Sequence, residues 1–217
     1  MNYKKIDLAS WERRDIYKMY TTTLKIVMNM TVDMDVTPLV AYAKEKGLKF
    51  YPVMMHTVGR ILNARDEFKY SLTAEGELIL WDYISPSYTD FDPETEHFNK
   101  FVTEYTPDLF EFCERAERDR LHYKGVFGFA PDQPKNVYDI SCLPWVHYNS
   151  LTLHVESADG ICLFPVVIWG KYEEKDGRLI LPVTVNVNHA VCDGFHISRF
   201  FNELKAAIEN IGKGENI

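Results

Sequence analysis

The sequence predicts a single-domain α/β fold in two layers, a large mixed sheet with helices packed on it. Three observations carry this. Segments alternating at period two are interspersed with segments apolar at helical spacing, so sheet and helix belong to one unit. Several strand-like runs flank short Gly-bearing turns, which makes them hairpin partners. No Pro-, Gly- or Ser-rich linker, repeat or low-complexity stretch divides residues 1–217, so one domain spans the chain. With 46% hydrophobic and 14% aromatic residues, that domain can bury a sizeable core.

The first helix is expected behind Ser10 as N-cap, from Trp11 to about Tyr20. On it, Arg13 reads from residue type as a solvated surface charge. Leu24 to Val36 alternates: Ile26, Met28, Met30, Val32 and Met34 share one parity, and polar residues take most of the other. That is a strand with one buried face. Thr37-Pro38 starts a helix, with Thr as cap, and Gly47 ends it in the left-handed conformation. Pro52 opens the next helix, to about Asn63.

Phe68 to Thr73 and Glu77 to Ile84 form a hairpin around Ala74-Glu75-Gly76. Ser87 to Phe91 and His97 to Tyr105 lean towards strand, with Phe101 and Val102 also open as a helix start, Pro107 to His122 towards helix, and Gly125 to Asn136 towards loop. Asp139 to Trp145 is short and unusual. Thr152 to Glu156 and Phe164 to Tyr172 read as strands. Glu173-Glu174-Lys175-Asp176-Gly177 reads as a turn, after which Arg178 to Asn188 returns. The last helix, Phe195 to Asn210, buries Ile197, Phe200, Phe201, Leu204 and Ile208 at helical spacing, and the tail from Gly212 frays.

Composition removes several function classes. A net charge of -8 argues against a nucleic-acid binder, which needs a basic surface. No apolar run reaches the ~20 residues of a membrane span. Met1 to Asp7 holds no signal-type apolar stretch, so the expected location is cytoplasmic. Cys113, Cys142, Cys162 and Cys192 form no CxxC pair and are expected as free thiols. The seven His show no ligand spacing, so no metal is expected.

One stretch concentrates chemistry. An alternating β-branched strand, Val183 to Asn188, runs into His189, a short apolar step, Asp193-Gly194 and then a helix. Histidine suits general-base work because its ordinary pKa of ~6.5 lies near working pH. A histidine at a strand end also serves structure alone. Asp193 is open to three roles: orienting the site, pairing with a distant arginine, or capping the last helix.

Asn188-His189-Ala190-Val191-Cys192-Asp193-Gly194-Phe195-His196 resembles the active-site signature of the trimeric chloramphenicol acetyltransferase family. The usual form there is His-His-Ala-x-x-Asp-Gly. Dihydrolipoyl acyltransferases share a His-x-x-x-Asp-Gly core, so the signature alone is of moderate specificity. Further blocks are similar to the same family: Asn2-Tyr3 through Arg14, Phe50 to Met54, Phe91 to Phe98, Ser141 to Trp145, and Lys171-Tyr172 to Leu181-Pro182. The resemblance spans essentially the whole chain.

It implies a chloramphenicol-acetyltransferase-like sandwich and an O-acetyltransferase that uses acetyl-CoA as cosubstrate, without metal. His189 matches the general base and Ser141 the hydroxyl that stabilises the oxyanion. Asp193 matches an acid paired with an arginine near the N-terminus, here Arg13. Tyr20, Leu24, Phe98, Leu151, Leu153 and Val155 fall on acceptor-pocket positions, and Trp145 and Tyr172 on CoA positions. The resemblance implies a homotrimer with sites between subunits, a small hydroxyl acceptor, chloramphenicol by default, and with it antibiotic resistance. The sequence departs at Asn188, where the family has a first His, at Ile168, where it has a threonine, and across Ala158 to Leu163. These departures bear on the acceptor more than on the reaction. The rival readings are a same-fold acyltransferase for another alcohol or thiol, and a trimer that binds CoA or a small molecule without catalysis.

Overall fold

The computed structural model describes residues 2–155 and 161–213. Its centre is an eight-stranded mixed sheet. The strands are β2 (Val27–Asp35), β5 (Ser85–Asp92), β6 (His97–Val102), β7 (Gly128–Phe129), β8 (Val137–Cys142), β9 (Val166–Trp169), β10 (Glu173–Lys175) and β11 (Arg178–Asn188). They run in the order β10-β11-β9-β8-β5-β6-β7, with β2 also paired to β11. β1 (Tyr3–Lys5), β3 (Tyr70–Leu72) and β4 (Leu78–Trp81) make a small antiparallel sheet in the order β1-β4-β3. The helices are α1 (Arg14–Lys18), α2 (Thr37–Glu45), α3 (Phe50–Asn63), α4 (Leu109–His122) and α5 (Gly194–Glu209). This is the mixed α/β architecture expected of one domain. None of these helices is long and apolar enough to cross a membrane.

β11 is the spine. It pairs antiparallel with β2 from Ile180 to Asn188 and with β9 from Val183 to Asn186. Leu181, Val183, Val185 and Val187 enter the core shared with the helices. Thr184 and Asn186 alternate to the opposite face and are buried there too. α5 presents Ile197, Phe200, Phe201, Leu204 and Ile208 to the same core, at the predicted spacing. The expected turn over Glu173 to Gly177 is shorter: Glu173–Lys175 already pair as β10, and the chain turns through Asp176 and Gly177 alone, both at positive φ. Gly47 ends α2 at φ 66°.

Three local expectations are corrected. The first helix starts at Arg14, not Trp11, because the Ser10 hydroxyl donates to the Asp7 carboxylate (2.9 Å) instead of capping. The helix then widens into a π-helical turn over Met19–Thr23. Thr37 does not cap α2: its hydroxyl accepts from Leu179 N (2.7 Å), while Asp35 Oδ1 accepts from Thr37 N (3.0 Å). Residues 151–155 join no ladder. Leu153 bonds to side chains instead, its N–H to Asn29 Oδ1 (3.2 Å) and its carbonyl to Asn186 Nδ2 (2.6 Å). The remainder of that expected strand, at Glu156, lies outside the described residues, as do Ala158 and most of the tail.

Candidate active site at the end of strand β11

The ladder carries one step past β11: His189 N donates to Ile26 O (3.0 Å). Asn188 then builds the turn. Its side-chain oxygen accepts from Ala190 N (2.9 Å), and its carbonyl accepts from Val191 N and Cys192 N (3.2 and 3.1 Å). Its amide donates to Cys162 O (3.2 Å). An Asn side chain that hydrogen-bonds two residues on is an ordinary turn former. The residue that departs from the family pattern is therefore the brace of this bend.

The imidazole is fixed on two sides. Its Nδ1 lies 2.9 Å from Cys192 O and 3.3 Å from Asp193 Oδ1. Both oxygens can only accept, so Nδ1 is a donor here, and in the neutral ring the lone pair then sits on Nε2. The Tyr20 ring stacks on the imidazole with centroids 4.3 Å apart and planes 16° from parallel. The π-helical turn delivers Tyr20 to this position. Such wide turns concentrate at functional sites.

Arg13 closes the arrangement. Its guanidinium holds Asp193 through Nη1–Oδ2 (2.7 Å) and Nη2–Oδ1 (2.5 Å), and donates to Ala190 O (2.9 Å) and His189 O (3.1 Å). The Arg13 side chain is 16% exposed, so it is no solvated surface charge. The Arg13 hydrogen bond holds the Asp193 carboxyl below its ordinary range. Asp193 also takes the N-cap position of α5, and its N–H donates to His196 Nδ1 (2.9 Å). Burial lowers the His196 pKa, consistent with a neutral ring accepting there.

Ser141 stands elsewhere. On β8 its neighbours Tyr138 and Ile140 point into the core, so Ser141 and Asp139 face away from the helices. Its register partner is Ile168 on β9, whose own partner on β11 is Thr184. His189 lies five residues beyond Thr184 and two strands over. At strand spacings this separates Ser141 and His189 by roughly 15–20 Å within one chain. Ile168 is buried beside Ser141 and has no side-chain hydrogen bond to offer. Its carbonyl accepts from Tyr148 Oη (3.0 Å).

The other expected residues divide between places. Trp145 and Tyr172 share a cavity of about 540 Å³ with Phe50, Tyr51, Phe91 and Lys171. Leu151, Leu153 and Val155 form the strap tied to Asn29 and Asn186 on the face away from the helices, with Leu153 and Val155 half-buried. Leu24 is exposed at the end of the π-helical turn. Phe98 is exposed on β6, four strands from β11. Sequence reasoning missed the Asn188 brace, the Cys192 carbonyl and the Tyr20 stack. An Asn directly before the candidate base was the visible signal for the first. The described residues hold no group of three His, Cys, Asp or Glu suited to a metal.

The chain was compared with known proteins. The family model described as chloramphenicol acetyltransferase matches residues 1–205. Chloramphenicol acetyltransferase 2 of Escherichia coli is 37% identical over 215 residues, 98% of this chain and 100% of that protein. A chloramphenicol acetyltransferase of Clostridium perfringens is 36% identical over 212 residues, 97% of this chain and 100% of its own length. A solved chloramphenicol acetyltransferase structure superposes with a TM-score of 0.81 at 22% identity, covering 95% of this chain and 100% of that one, which establishes the fold. A braced His turn at the end of a central strand, on this fold and with these relatives, leads to one conclusion: the chain belongs to the chloramphenicol acetyltransferase family.

Proposed function

We propose that the protein transfers the acetyl group of acetyl-CoA to a hydroxyl of a small molecule, with chloramphenicol the first acceptor to test. The observation that carries the reading is the His189 ring, whose Nδ1 is held by Cys192 O and Asp193 Oδ1, which leaves Nε2 as the ring atom that can take a proton.

In this reading the acceptor hydroxyl gives its proton to His189 Nε2 as its oxygen attacks the thioester carbonyl. The tetrahedral oxyanion accepts a hydrogen bond from the Ser141 hydroxyl, a donor worth roughly 3 kcal/mol when preorganised. Collapse breaks the C–S bond, and the departing thiolate recovers the proton from the imidazolium. Transfer is direct, with no acyl-enzyme. Arg13 and Asp193 hold the turn and do not touch the reacting atoms.

The site is completed by a second copy of the chain in a homotrimer. The separation of Ser141 from His189 within one chain supports this, because one imidazole cannot serve a thioester that distant. His189 of one subunit then works with Ser141 and the acceptor wall of its neighbour, where Phe98, Leu151, Leu153 and Val155 stand, while Tyr20 and Leu24 flank the base. Trp145 and Tyr172 offer aromatic plates to the CoA arm, and Lys171 a cation for its phosphates. The protein acts in the cytoplasm as one acetyltransferase domain, and acetylation of chloramphenicol would confer resistance.

A spectrophotometric thiol-release assay with acetyl-CoA and chloramphenicol tests the reading. Wild type is expected to exceed His189→Ala by about 10²–10⁴. Equal rates would reject His189 as the base for that acceptor. A second reading keeps the chemistry and changes the acceptor to another alcohol. It is favoured by Ile168, a buried apolar residue beside Ser141, and an acceptor panel separates the two.

A further inference from the structure

A second charged element stands apart from the His189 turn. Lys100 Nζ on β6 meets Asp139 Oδ2 on β8 at 2.6 Å. They bridge the intervening strand β5, where Thr89 is the register partner of Lys100 and Ser87 that of Asp139. The two side chains are only 19% and 21% exposed.

Alternation fixes the face on which the pair stands. Asn99 and Phe101 flank Lys100, Tyr138 and Ile140 flank Asp139, and all four are buried on the core side. Lys100 and Asp139 therefore share the outer face with Phe98 and Ser141, each two residues along its strand. The ammonium also lies 5.7 Å from the Phe129 ring centroid, and Phe129 is 77% exposed. A carboxylate and an aromatic face thus hold the cation in place on this wall.

Stability does not explain such a pair, since an apolar pair of similar volume serves a fold as well or better. Recognition does. An apolar acceptor lying on this wall would strip water from both charges and return nothing. An acceptor with a polar group restores what is lost: an ammonium has three donors, of which Asp139 takes one, and a carboxylate accepts at several positions.

We propose that Lys100 and Asp139 are specificity-determining residues of the acceptor site. The acceptor they select is a hydroxyl compound with a second hydrogen-bonding polar group set against this pair and an apolar part held by Phe98 and Phe129. This rests on the reading of Ser141 and Phe98 as the acceptor-side half of the site.

The test compares two probes, chloramphenicol, which carries an amide and a second hydroxyl, and 3-phenylpropan-1-ol, which carries neither. The double variant Lys100→Met/Asp139→Leu removes both charges together and leaves no orphan. Its ratio of kcat/KM for chloramphenicol to that for the phenylpropanol is expected to fall at least fivefold, with KM for acetyl-CoA unchanged. A smaller fall in a folded protein overturns the inference and leaves the acetyl-transfer reading intact. If wild type neither acetylates nor binds either probe by calorimetry, the reading with chloramphenicol as acceptor fails and this inference with it. Should the double variant not fold, Lys100→Arg takes its place. It keeps a positive charge but changes its reach, and must raise KM for chloramphenicol at least threefold. An unchanged KM overturns the inference.

Discussion

Arg13 grips both carboxylate oxygens of Asp193, at 2.7 and 2.5 Å, from 180 positions away in the sequence. The same guanidinium accounts for the carbonyls of His189 and Ala190. One side chain thus ties the N-terminal segment to the bend that carries His189. Replacing Arg13 with Met leaves the carboxylate and two carbonyls without this donor. The expected loss is roughly 1.5–3 kcal/mol, the worth of hydrogen bonds to a charged group. Arg13→Lys recovers only part of it, because an ammonium cannot span both oxygens and both carbonyls. Urea unfolding of the three proteins checks the order.

The same pair sets a pH dependence. Asp193 ionises more readily in the fold than at its ordinary value of 3.8, chiefly because Arg13 donates to it. A depressed carboxyl stabilises the fold fully above its unfolded-state value. That contribution is lost as pH falls through the lower folded-state value. The stability gap between wild type and Asp193→Asn should be wide at pH 7 and shrink as pH falls below 3.8. A gap of constant width would mean that the charge of Asp193 does not matter.

Tyr20 acts on His189 through its ring face, not through its hydroxyl. Tyr20→Phe should therefore keep kcat within about twofold. Tyr20→Ala frees the imidazole to rotate, and an aromatic contact of about 1 kcal/mol lost at the base corresponds to a fall of about five- to tenfold. Steady-state kinetics on the two variants decides it.

The core offers a steric test. A Cβ on Gly59 of α3 would sit 2.5 Å from Tyr138 Oη, an oxygen that donates to Met55 O. Gly59→Ala should cost roughly 1–3 kcal/mol by overpacking, against the small gain alanine brings to a helix. Tyr138→Phe removes the obstructing atom. The double variant should then be more stable than the sum of the single losses predicts, a positive coupling in a double-mutant cycle.

The four thiols are poor nucleophiles in the fold. Burial pushes Cys113 up to about 11 and Cys142 and Cys162 up to about 12, and raises Cys192 well above its ordinary value. Near pH 8 their thiolate fractions are about 10⁻³ or less, and reactivity follows the thiolate. The native protein should release little colour from a disulfide reagent within minutes, and all four thiols once denatured. Rapid labelling of the native state would contradict this burial, and would set the background of the thiol-release assay.

Sequence legibility followed how local each cause was. β11 and α5 could be read because burial imposes their periodicity residue by residue, and Gly47 and Gly177 because a left-handed backbone favours glycine. The start of α1 could not, since Ser10 reads as a cap whether its hydroxyl meets the helix or Asp7. Nor could the absence of a ladder at 151–155, where a strand-like pattern is held by the side chains of Asn29 and Asn186. Family likeness picked out Arg13 and Asp193, which composition alone would leave at the surface. Lys100 and Asp139 gave no signal, because their meeting depends on the order of β8, β5 and β6 in the sheet.

The row that joins Ser141 to Ile168 and Thr184 leaves His189 beyond the far end of β11, and this has a genetic consequence. In the homotrimer proposed above, two defective alleles, His189→Ala and Ser141→Ala, should complement one another. Denatured together in equal amounts and refolded into shared rings, they would rebuild an intact pairing of His189 with Ser141 at roughly one site in four. Either protein refolded alone would rebuild none.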